Sequence, residues 1–293
     1  VPYKKYARIL KWLAVVLFAY PITAFVVGQP WGEVLAATFH PKGLAFDPVT
    51  VMIIVGLIGT TISPYLFFWD TSEVVEDEIA HKRVGLKKLR SPIITRKFLR
   101  NVWVDNVVGM TLAAVTAWFI MLTCATVLHA HGVTEITIAA DAARAIEPLV
   151  SGFPYAGLVA KIIFSVGILG TGLLAIPVLA GSCSYAISEA FGWPEGLGRK
   201  VRRAKGFYAV IIVATLVGLA INFTGIDPIQ ALVWAAVVNG VAAVPLLVMI
   251  GRIGRNSDIM GEYRIGPASY AGILVAFVVM LFAAVAMIAS FFL

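Results

Sequence analysis

Seven stretches of this 293-residue chain contain no Asp, Glu, Lys or Arg, and each is at least 21 residues long: 12–32, 48–69, 106–134, 162–188, 206–226, 228–251 and 265–293. A helix needs about 20 apolar residues to cross ~30 Å of hydrocarbon, so each run is long enough to span a bilayer once. Hydrophobic residues make up 60% of the chain and charged residues 13%, with a mean hydropathy of +0.92. That balance excludes a soluble enzyme, a zinc-finger protein and a nucleic-acid binder. The expectation is an all-α polytopic membrane protein, a single transmembrane domain over residues 1–293. Its seven transmembrane helices fall near 6–27, 48–69, 103–128, 155–188, 206–224, 228–250 and 267–293.

The net charge of +7 reads as an orientation signal. Of the 23 Lys and Arg residues, four lie in Lys4–Lys11, eight in Lys82–Arg100, five in Arg199–Lys205 and three in Arg252–Arg264. These four segments alternate with segments that hold only Lys42, Arg144 and Lys161. The positive-inside rule then places the chain's start in the cytoplasm and Leu293 outside, in the cell membrane, with membrane lipid as a partner and anionic lipid as the natural counter-charge. Basic residues ahead of a full-length span argue against a cleaved signal peptide. The chain starts at Val1 and enters a span almost at once, which reads as a portion of a longer protein. Cys124 and Cys183 lie in apolar runs and read as packing residues.

The second run, PVTVMIIVGLIGTTISPYLFFW, puts Gly56, Gly59, Thr60, Thr61, Ser63 and Pro64 in the middle of the membrane. Proline removes an amide donor and clashes with the carbonyl four residues back, which favours a break. A break leaves carbonyls of the first half-helix unused, with the negative end of its dipole behind them. The carbonyls of Ile58, Gly59 or Thr60 and the hydroxyls of Thr60, Thr61 and Ser63 would then form a hard oxygen surface for a cation. The competing reading is a proline kink that only shapes packing.

Other polar residues are fewer. Asp70 follows an apolar run closely enough that lipid exposure would be costly, so it is expected to face a polar interior. Asp105 opens the third span and Asn239 lies inside the sixth, where it reads equally as function or as helix-to-helix glue. Glu73, Glu76, Asp77 and Glu78 read as a solvated helix end or as a cation-gathering mouth. No catalytic constellation, Walker loop or CxxC pair occurs, so no enzyme is expected and no cofactor is implied.

These residues resemble the natural resistance-associated macrophage protein (Nramp) family of divalent-metal transporters. Gly59-Thr60-Thr61-Ile62-Ser63-Pro64-Tyr65 is similar to that family's sixth-helix signature Gly-Ala-Thr-Val-Met-Pro-His. Gly167 to Trp193, with Phe207-Tyr208, resembles the eighth helix and the loop after it, and Asp258 to Arg264 resembles the segment before the eleventh. The resemblance implies part of a LeuT-like inverted-repeat fold, running from the fifth helix to the eleventh. The missing N-terminal helices of the same protein, including the one with the family's Asp-Pro-Gly-Asn ligands, are then expected partners.

Carried over position by position, the metal-binding carbonyl falls on Thr60 and the methionine ligand on Ser63. The two histidines fall on Tyr65 and Asp70, and the tenth-helix glutamine on Ala236. Thr61, Pro64, Tyr65, Asp70, Asp105 and Asn239 are expected along the ion path or its gates. A hydroxyl in place of a thioether gives up preference for softer metals, so the resemblance leans to the magnesium-transporting branch. The expected function is a secondary transporter of divalent cations (Mg2+/Mn2+-like) by alternating access. The alternatives are an amino-acid carrier of the same architecture and a non-transporting membrane scaffold or sensor.

Overall fold

The computed structural model of the chain describes residues 12–40, 47–80, 95–133, 136, 138–147 and 154–290. The basic residues Lys4–Lys11, Lys42 and Lys82–Arg90 lie outside them. Every regular element among the described residues is helical. Five stretches are long and apolar enough to cross a membrane: Val49–Glu76, Arg96–His131, Ala156–Phe191, Pro228–Arg255 and Pro267–Met287. Trp12–Val27 and Lys205–Ile221 are shorter apolar helices.

The elements in order are α1 (Trp12–Val27), α2 (Trp31–Phe39), α3 (Pro48–Thr61), α4 (Pro64–Ala80), α5 (Arg96–Thr123), α6 (Ala139–Ile146), α7 (Ala156–Phe191), α8 (Lys205–Ile221), α9 (Pro228–Arg255) and α10 (Pro267–Ser290). Two of these depart from the sequence reading. The segment after α1, outside the seven expected spans, contains α2, because Glu33, Leu35, Ala36 and Ala37 are strong helix formers between flanking glycines and prolines. The segment between α5 and α7 contains α6, whose Ala142, Ala143 and Ile146 are buried while Arg144 is exposed.

The chain forms two compact units, Val1–Pro41 with Phe68–Asp227, and Lys42–Phe67 with Pro228–Leu293. In the first, α1 lies across α7 and α5. Tyr20 meets Phe164 edge-on at 5.5 Å, over a core of Val127, Leu128, Ile146 and Ala160. This approach depends on Gly167 and Gly170: a Cβ on Gly167 would stand 3.0 Å from Tyr20 Cζ, and one on Gly170 would strike Val16. Large apolar residues of the same helix point outward, among them Leu169 at 67% exposure. Lipid is as apolar as leucine, so helices in it gain by close van der Waals packing of small residues and lose nothing by showing leucine to the outside. In the second unit α3 packs against α9 and α10, with Val55, Val237, Ala283 and Met287 in one cluster and Ala243, Leu247 and Met280 in another.

Candidate functional site

The second apolar run is two helices. α3 begins at Asp47, whose carboxylate accepts from the backbone N–H groups of Val49 and Thr50, both at 3.0 Å, with Pro48 as first helical residue. Those hydrogen bonds hold the Asp47 carboxyl below its usual range. The helix stops at Thr61. Ile62 leaves helical geometry at φ −108°, ψ 69°, and its N–H closes the last turn on Ile58 O at 2.9 Å. α4 restarts at Pro64.

The cause is local. Pro64 has no N–H to offer Thr60 O, its partner four residues back, so the ladder fails there. Ser63 fills part of the gap: it is 1% exposed, and its hydroxyl donates to Gly59 O at 2.9 Å and Thr60 O at 2.7 Å. Both threonine hydroxyls turn back to Leu57 O, Thr60 at 2.8 Å and Thr61 at 3.0 Å, and both residues are exposed. Pro64 and Tyr65 are half-buried. A cluster of oxygens from one turn of backbone and three hydroxyls therefore gathers at the break, and it carries no formal charge.

This turn is held against α9 with unusual closeness. A Cβ on Gly59 would fall on the carbonyl oxygen of Ala236 and within 2.7 Å of Gly240 N and 2.8 Å of Gly240 Cα. Backbone meets backbone at this crossing, as in small-residue helix contacts. Ala236 is 8% exposed and adjoins Gly56, while Asn239, one residue before Gly240, is half-buried.

The acidic residues singled out in the sequence, Asp70, Glu73, Glu76, Asp77, Glu78 and Asp105, follow this cluster in the chain and lie in the first unit. Asp70 is exposed and accepts from Asn106 Nδ2 at 3.2 Å, which links α4 to α5 beside the exposed Asp105. Among the described residues, no group of three or more His, Cys, Asp or Glu is arranged to hold a metal ion. His131 bonds Val127 O through Nδ1 at 2.7 Å.

Glu76 departs from its sequence reading as a solvated helix end. It is 9% exposed, takes the Tyr185 hydroxyl at 3.2 Å on one oxygen, and takes the Gly198 N–H at 3.3 Å on the other. Leu197 N–H in turn donates to Tyr185 Oη at 3.2 Å. Gly196 at φ +120° and Gly198 leave room for the carboxylate, since a side chain at either position would press on it. Burial, reinforced by Glu189 and opposed by Arg199, raises the carboxyl of nearby Glu195 to about 7. Sequence reasoning missed this link because its partners are 109 and 122 residues away. The available signal was one tyrosine hydroxyl inside an apolar span, followed by a glycine-rich loop.

Comparison with known proteins places this geometry in context. A family model described as natural resistance-associated macrophage protein-like matches residues 1–290. Among curated proteins, the divalent metal cation transporter MntH of Mesorhizobium japonicum is 25% identical over 286 residues, 94% of this chain and 57% of the relative. Its namesakes from Verminephrobacter eiseniae and Bradyrhizobium diazoefficiens are 24% and 23% identical, covering 86% and 94% of this chain and 51% and 58% of their own lengths. The chain thus spans a little over half the length of these relatives. With its glycine-threonine break before Pro64 and a match across almost every residue, the chain belongs to the Nramp family.

Proposed function

We propose that these residues are part of a secondary transporter that carries a divalent metal cation across the cytoplasmic membrane by alternating access. In this reading the seven apolar helices are a portion of a LeuT-like inverted-repeat fold, with the first residue cytoplasmic and Leu293 outside. The observation that carries the proposal is the break at Ile62–Ser63, where Pro64 deprives Thr60 O of its backbone donor. Relatives named as divalent metal cation transporters support the same cargo class.

The ion contacts are Thr60 O and Ser63 Oγ. The Ser63 proton is directed at two carbonyls, so the lone pairs of that hydroxyl are what a cation meets. Thr61, Pro64, Tyr65 and Asn239 are assigned to the ion path within the second unit, and Asp70 and Asp105 are the acidic path residues of the first. An all-oxygen shell favours hard cations such as magnesium and manganese over softer ones, and magnesium keeps part of its water because it dehydrates reluctantly.

The test is uptake into proteoliposomes containing the full protein. Loss of one ligand oxygen is worth on the order of 1.5 kcal/mol, so Ser63→Ala is expected to reduce magnesium or manganese uptake about tenfold. Unchanged uptake by a folded Ser63→Ala protein would overturn the assignment, and leucine or alanine flux in place of metal would indicate an amino-acid carrier. Ser63→Cys, which exchanges the ligand oxygen for sulfur, is expected to shift preference toward the softer cadmium.

A further inference from the structure

The end of α9 and the start of α10 line a cavity of about 490 Å³, and none of the residues assigned to the ion path is among its lining. Arg252 and Arg255 stand on its rim, three residues apart and so on one face of the last helical turn. The Arg255 guanidinium lies 4.6 Å over the ring of Tyr270, which sets its direction. Among the described residues, neither arginine forms an ion pair with a carboxylate. Below Tyr270 the wall of the cavity turns apolar, through Leu274 and Phe277. Positions 270, 274 and 277 share one helix face, and Phe277 lies roughly 10 Å deeper along α10 than Tyr270.

Cations in a last turn suit the helix dipole, and exposed arginines need no further role on that ground alone. The dipole does not explain a hollow beside them, an aromatic ring beneath one of them, or the polar-to-apolar gradient down the cavity wall. Two guanidiniums match the forked geometry of a phosphodiester. In a chain whose helices cross a membrane, the anion available at this depth with an apolar tail attached is a lipid.

We infer that this cavity is a binding site for one anionic phospholipid, its phosphate held by Arg252 and Arg255 and its upper acyl chain laid along Leu274 and Phe277. Asn256 also lines the cavity, with its Oδ1 held by the Asp258 N–H at 2.7 Å.

The test is native mass spectrometry of the detergent-purified full protein with phosphatidylglycerol or phosphatidylcholine of identical acyl chains. Wild type is expected to retain phosphatidylglycerol about tenfold better than phosphatidylcholine, and Arg252→Gln/Arg255→Gln to lose that preference. Arg255→Lys keeps the charge without the fork and is expected to fall between them. Because the arginines are exposed, the variants should keep wild-type circular dichroism. Equal retention of the two lipids by wild type, or undiminished preference in the double variant, would overturn the site. Displacement of phosphatidylglycerol by millimolar inorganic phosphate would reassign it to a soluble anion and overturn the lipid.

Discussion

At the scale of single residues, two glycines three positions apart in α3 have different duties. A methyl group on Gly56 would meet Ala236 Cβ at 3.6 Å, an ordinary contact, whereas one on Gly59 would strike the backbone of Ala236 and Gly240. Backbone cannot rotate away as a side chain can, so α3 and α9 would have to separate. Overpacking of this kind costs about 1–3 kcal/mol, and Gly59→Ala is expected to lower the melting temperature in detergent by several degrees while Gly56→Ala leaves it near wild type. Equal melting of the two variants would mean that the crossing has room for a methyl group at either position. Both glycines were visible in the sequence as breakers at mid-membrane, but their packing role was not, because it depends on Ala236 and Gly240 some 180 residues later. The same limit hid Glu76: its place among acidic neighbours suggested water, and only the fold brings Tyr185 and Gly198 to it.

At the scale of elements, the interruption of the second apolar run was legible because its cause is chemical and local. Proline at 64 removes one donor, and the glycines and hydroxyls before it offer no strong helical preference to resist. Restoring that donor tests the cause directly. Pro64→Ala is expected to let the helix run from α3 into α4, with the backbone N–H gained at position 64 bonding Thr60 O. Proline costs about 3 kcal/mol more than alanine inside a helix, so amide exchange over residues 58–66 should slow in the variant, while metal uptake should fall as Thr60 O is consumed. Unchanged exchange and undiminished uptake together would show that the break is held by something other than Pro64. The helices α2 and α6 were less legible, because turn-forming residues flank both and neither is long enough to declare itself by hydropathy. Their stability comes from packing, as for Ala142, Ala143 and Ile146 of α6 against the first unit's core.

At the scale of the whole molecule, the distribution of charge makes a prediction that packing cannot. Twenty of the 23 basic residues lie in segments expected on one side of the membrane and three on the other. Moving one charge through an inside-negative potential is worth about 2.3 kcal/mol per 100 mV, so exporting the rich segments would be opposed many times over. The tight turn after α8 should therefore face outward and the turn after α9 inward. Thr224 and Ser257 are exposed in these two turns and can carry a reporter. In a protein with Cys124 and Cys183 replaced by serine, Thr224→Cys is expected to react with a membrane-impermeant maleimide on intact cells. Ser257→Cys should react only after permeabilisation. The opposite pattern would invert every span at once, because the segments alternate, and it would place Arg252 and Arg255 on the outer face. Their lipid site would survive that inversion, since it depends on depth and charge, but it would then draw its ligand from the outer leaflet.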